Sequence, residues 1–76
     1  MTVQEFEDWK ETNGTACREY YANGVHYKLV TMRDNWIAIF ESYAGNYSPL
    51  IQAQDMKHAE TYCNMREVLT VPATPI

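Results

Sequence analysis

The chain has 76 residues, a formal net charge of −4, six Lys and Arg against ten Asp and Glu, and two Trp, six Tyr and two Phe. That length allows one domain, and the aromatic supply is enough to fill one small core, which argues against a disordered chain. The few dispersed cations do not make a basic patch for a phosphate backbone, no apolar run is long enough to span a bilayer, and no signal-peptide pattern opens the chain. Nucleic acid is therefore the less expected partner, no membrane partner is expected, and a cytoplasm is the expected location.

Thr2-Val3-Gln4-Glu5 reads as a capping box. Val3, Phe6 and Trp9 then share one side of a helix, opposite Gln4, Glu7, Asp8 and Glu11. The early acids suit the positive end of the helix dipole. Asn13-Gly14 reads as the stop, with Gly14 in the left-handed conformation after the last turn. The spacing predicts a helix over 3–12.

A strand over 17–22 follows, because Tyr20-Tyr21 runs into Asn23-Gly24, the preferred pair for a two-residue type I′ turn. The central stretch holds two runs rich in β-branched and aromatic residues, 25–32 and 36–43, joined by Arg33-Asp34-Asn35. That pattern is an antiparallel hairpin. Ala44-Gly45-Asn46 forms the next turn, with Gly45 where a positive φ is expected. A short strand over 47–53 contains Pro49, which cannot donate to a ladder, so it belongs at an edge.

Asp55 is a good N-cap for a last helix. Met56, Ala59, Tyr62, Cys63 and Leu69 share one side of it; Lys57, Glu60, Thr61, Asn64 and Glu67 share the other. Arg66 sits near the middle of the apolar side, either with its stem packed and its head at the rim or as a buried anchor for an anion. Pro72 ends the helix, giving one domain over 1–71 and a loose tail over 72–76.

The expected fold is α+β, in the order α-β-β-β-β-α: a small antiparallel meander sheet with the N- and C-terminal helices packed on it, both on one face. The order resembles that of double-stranded-RNA-binding domains, α-β-β-β-α at a similar length. Those domains carry a basic cluster at the start of the last helix, where this chain reads Asp55-Met56-Lys57-His58, so their function is not carried over. The last strand and helix also resemble a pattern found in small phage-encoded proteins.

Counting outward from two-residue turns at Asn23-Gly24 and Asp34-Asn35 sets Tyr20 opposite Tyr27, Cys17 opposite Val30, and Leu29 opposite Phe40. Tyr20, Tyr27, Leu29, Trp36, Ala38 and Phe40 then share the core face. The other face holds Tyr21, His26, Val30, Met32, Ile37, Ile39 and Tyr43, with Lys28 between Glu19 and Glu41. An exposed apolar face of this kind would mark a partner or dimer surface. Two other arrangements stay open: a helix over this face, or a register slipped by one residue.

Catalytic and metal chemistry find little support. Cys17, His26, His58 and Cys63 lack the close pairing of zinc ligands, so no metal and no cofactor is expected, and the two cysteines read as free thiols, with one disulfide between them as the open alternative. Ser42 and Ser48 lie in no nucleophile elbow, and the glycines at 14, 24 and 45 are isolated. Glu7 and Glu11 are a like-charge pair on an open helical face, which is a solvated face or an acidic stripe that docks on a basic surface.

The expectation is therefore a small non-catalytic interaction protein, suited to a phage or mobile-element accessory role in which it binds or inhibits a host protein in the host cytoplasm. Tyr21, Val30, Met32, Ile37, Ile39 and Tyr43 form the expected contact face, with Glu7, Asp8 and Glu11 as its charged flank. A homodimer through the same face is one form of partner. The rival expectation is a nucleic-acid module that stacks bases on Tyr21, Tyr43 and their neighbours, against which the charge balance speaks.

Overall fold

A computed structural model describes residues 1–66. The expectations for Glu67, Leu69, Pro72, the domain end at 71 and the tail lie outside the described residues. The elements are α1 (Val3–Asn13), β1 (Gly14–Ala22), β2 (Val25–Met32), β3 (Ile37–Tyr43), β4 (Asn46–Ala53) and α2 (Met56–Met65). The four strands form one antiparallel meander in the order β1-β2-β3-β4. The fold is α+β, as expected.

The capping box at the start of α1 is complete. The Glu5 N–H donates to Thr2 Oγ1 at 3.1 Å, and the Thr2 N–H donates to Glu5 Oε1 at 2.8 Å. At its other end α1 passes directly into β1. Gly14 is extended there, at φ −103° and ψ 157°, and not left-handed. Its role is steric. A Cβ at Gly14 would stand 2.6 Å from Val30 Cγ1 and 3.0 Å from the Lys10 carbonyl oxygen.

Asn23-Gly24 makes the expected two-residue turn, with φ of 53° and 77°, and β1 pairs with β2 in the expected register. The β2–β3 loop is where expectation and structure part. It has three residues, 33–35. The Met32 N–H donates to the Trp36 carbonyl at 2.8 Å, the Asn35 N–H to the Met32 carbonyl at 2.8 Å, and Asn35 is left-handed at φ 73°. Asp34 steadies the loop by accepting the Trp36 N–H at 3.0 Å. One extra loop residue shifts the pairing by one: Leu29 lies opposite Ile39, not Phe40, and Val30 lies opposite Ala38. That shift exchanges the two faces of β3.

Each face of the sheet is covered by a different helix, which corrects the expectation of both helices on one face. Alternate residues of β2 and β3 point to opposite sides. Val30, Ala38 and Phe40 pack under Phe6 of α1, with Trp9, Met32 and Tyr47 at the margin. Phe6 stacks on Tyr47 with centroids 4.4 Å apart and meets Phe40 edge-on at 5.0 Å. Tyr27, Leu29, Ile37, Ile39 and Ala53 pack instead under Ala59 and Cys63 of α2. Asp55 caps α2 by accepting the His58 N–H at 2.8 Å. Arg66, just past its end, donates to Glu41 Oε1 at 2.8 Å and lies 3.5 Å from the Tyr27 hydroxyl. The hydrogen bonds to Tyr27 and Glu41 raise its pKa. Arg66 is thus a half-buried anchor for a carboxylate of its own chain.

Candidate functional site

The apolar face expected for a partner does not form. Val30 and Met32 lie beneath α1, whereas Ile37 and Ile39 lie beneath α2. Val30, Ile37 and Ile39 are only 0%, 3% and 1% exposed. Tyr21 and Tyr43 are the exposed members, at 67% and 79%. They sit on opposite faces, because Tyr21 pairs with His26 on the α1 side and Tyr43 alternates with Ile37 and Ile39 on the α2 side. They therefore make no common platform for stacked bases. Glu7, Asp8 and Glu11 do stand exposed along α1.

The charge ladder forms only in part. Lys28 Nζ pairs with Glu19 Oε2 at 3.1 Å, while Glu41 is on the far side with Arg66. Burial opposes the Lys28 charge, but the hydrogen bond and charge of Glu19 outweigh it and raise its pKa. The Lys28 hydrogen bond holds the Glu19 carboxyl below its ordinary range. Beside them the His26 ring stacks on Tyr21, with centroids 4.5 Å apart, and His26 Nε2 is 3.4 Å from Glu19 Oε1.

Cys17 is exposed on the α1 face and Cys63 is fully buried under α2. Burial pushes the Cys63 thiol up to about 11 and shifts Cys17 upward as well, so neither is a ready thiolate at neutral pH. Among the described residues no group of three or more His, Cys, Asp and Glu converges on a metal position. Among the same residues no helix is long and apolar enough to cross a membrane. His26 and Ser42 are cross-strand partners, but among the described residues no hydrogen bond joins them.

Two features of the surface come together where α1 meets β1. One is an open cleft of about 490 Å³, walled by Gln4, Glu7, Asp8 and Glu11 of α1 and floored by the first residues of β1 as far as Cys17. Lys10 also lines it and pairs with Glu7 at 3.0 Å, which among the described residues leaves Asp8 and Glu11 as the cleft's uncompensated charges. Among the described residues Asp8 receives only the neutral Gln4 amide, at 2.9 Å.

The second feature is the outer edge of β1. The sheet has two edges, and they are treated differently. β4 carries Pro49, a register irregularity opposite Ile39, and a bridge from Thr2 to Asn46. Its first residues are also covered by the N-terminus: the Tyr47 N–H donates to the Met1 carbonyl at 2.7 Å, and the Met1 ammonium donates to the Tyr47 carbonyl at 2.8 Å. These devices blunt an edge. β1 has nine residues, no Pro, and an irregularity only at Gly14–Ala16. Among the described residues no strand pairs with its outer side. The pair beside a two-residue turn exchanges both its hydrogen bonds, so Ala22, Tyr20 and Arg18 point their backbone groups at β2. Cys17, Glu19 and Tyr21 then present theirs to the open edge. Sequence reasoning placed β1 first in the meander without drawing this consequence; the available signal was Pro49 on one edge strand and no Pro on the other.

Compared with protein families, with curated proteins and with solved structures, the chain finds no match.

Proposed function

We propose that this chain is a small non-catalytic protein that acts by binding another protein, through the acidic flank of α1 and the outer edge of β1. The observation that carries this reading is the asymmetry of the two edges: β4 is blunted by Pro49 and by the N-terminus, and β1 is not. Unpaired N–H and C=O groups in a row are a template for another chain. The exposed Tyr21 at the end of the same strand adds an aromatic anchor of the kind enriched at protein contacts. Such binding suits an accessory protein of a phage or mobile element that binds or inhibits a host protein.

The test is site-directed photo-cross-linking. A benzophenone side chain placed at Glu11 or Tyr21 should capture one discrete protein from host cells. The same group at Lys57, on the outer side of α2, should not. Equal capture from all three positions, or tight binding of the chain to oligonucleotides in a gel shift, contradicts the reading.

A further inference from the structure

We propose that β1 accepts a fifth strand from the partner, and that this strand carries Lys or Arg at alternate positions. The inference rests on the protein-binding reading above and gives that partner a chemistry.

An added strand would bond to the backbone of Cys17, Glu19 and Tyr21, which face the open edge. Residues directly opposite in an antiparallel pair share a face. The partner residues opposite these three would therefore project on the α1 side, and the one opposite Cys17 would lie next to the cleft walled by Glu7, Asp8 and Glu11, which reaches along β1 as far as Cys17. The intervening partner residues would project on the α2 side. There β1 offers Arg18, already paired with Glu60, and Tyr20, whose hydroxyl donates to Asn64. The α1 side of the new strand thus meets net negative charge, supplied by Asp8 and Glu11 at the Cys17 end while Glu19 is shared with Lys28, and the other side meets neutralised groups. An alternating basic segment fits that pattern, and Tyr21 can hold one of its cations over its ring.

The same geometry disfavours a second copy of this chain. Two β1 strands paired antiparallel are related by an axis perpendicular to the sheet, which keeps both α1 helices on one face. Their acidic flanks would then face one another, on chains that each carry a net charge of −4.

The experiment titrates the full chain, labelled for NMR, with a synthetic peptide as long as β1 that alternates Lys and Thr. A twin peptide has Glu in place of Lys. At saturation the Lys peptide should slow amide exchange at Cys17, Glu19 and Tyr21 by about tenfold or more and leave Arg18, Tyr20 and Ala22 unchanged. The Glu peptide should protect nothing. Changing Glu7, Asp8 and Glu11 together to Gln should weaken Lys-peptide binding several-fold at low salt, with the difference fading at high salt. No protection at the three amides, equal protection by both peptides, or the same protection produced by self-association in the ultracentrifuge would each overturn the inference. Discrete cross-linking at Tyr21 without Lys-peptide protection removes the basic strand and leaves the protein-binding reading standing; failure of both removes both.

Discussion

At the level of single residues, the two hairpin turns at one end of the sheet differ in how well their residues suit their backbone. Asn23-Gly24 places Asn and Gly at φ 53° and 77°, as the sequence led us to expect. Ala44-Gly45 adopts nearly the same conformation, at φ 51° and 80°, with Ala in the left-handed position. An L-residue with a Cβ pays about 1–2 kcal/mol there, and Asn tolerates it better. Ala44→Asn should therefore raise stability by ~0.5–1 kcal/mol, read as a higher denaturation midpoint with an unchanged slope. Gly14→Ala should do the opposite. Its methyl would press on Val30 Cγ1 and the Lys10 carbonyl, at an expected cost of ~1–3 kcal/mol. Gly14 was legible as a helix stop. Its close approach to Val30 was not, because that contact depends on where α1 crosses the sheet.

At the level of elements, most of the fold could be read and one strand could not be oriented. β1, β2 and their register followed from Asn23-Gly24. β3 failed because Arg33-Asp34-Asn35 suits a two-residue or a three-residue turn equally well, and one residue exchanges the faces. Hydrophobic alternation would normally arbitrate. Here Ile37, Ala38, Ile39 and Phe40 are all buried, so there is no alternation to use. That continuous apolar run was itself the sign of a strand covered on both sides. The consequence is testable: Ile39→Asp, on a face once expected to be open, should unfold the protein by burying an unpaired charge. Ile51→Asp, at a position 46% exposed, should change stability by no more than about 0.5 kcal/mol. Should both variants fold alike by circular dichroism, α2 does not cover Ile39.

The α2 element offers two further checks. In the native protein Cys17 should react with a thiol reagent and Cys63 only as the protein opens, since one is exposed and the other buried beneath α2. Asp55 accepts the backbone N–H and the imidazole of His58, and these contacts hold its pKa below the ordinary 3.8. A depressed pKa contributes stability above the unfolded value, which is lost as pH falls through the folded value. Asp55→Asn keeps a capping side chain but has no charge to lose. The stability difference between parent and variant should therefore narrow as pH drops below 3.8, measured by urea unfolding across the acid range. A difference that widens in acid would show that Asp55 does not carry the contact with His58.

At the scale of the whole molecule, the helices cover opposite faces of one thin sheet, and that arrangement decides which surfaces stay open. It removes the apolar face as a surface and splits Tyr21 from Tyr43. It leaves the acidic side of α1 beside the first residues of β1, as far as Cys17, at one end of that strand's outer edge. Of the nine residues expected to form a contact, Glu7, Asp8 and Glu11 remain together beside the start of β1, and Tyr21 stays exposed near the other end of that strand. The central claim is that this edge is open in the free protein. Amide hydrogen exchange of the chain alone tests it directly. The account predicts alternation along β1: slow exchange at Arg18, Tyr20 and Ala22, which bond to β2, and fast exchange at Cys17, Glu19 and Tyr21. Slow exchange at all six would mean that the edge is already paired, and would contradict the account.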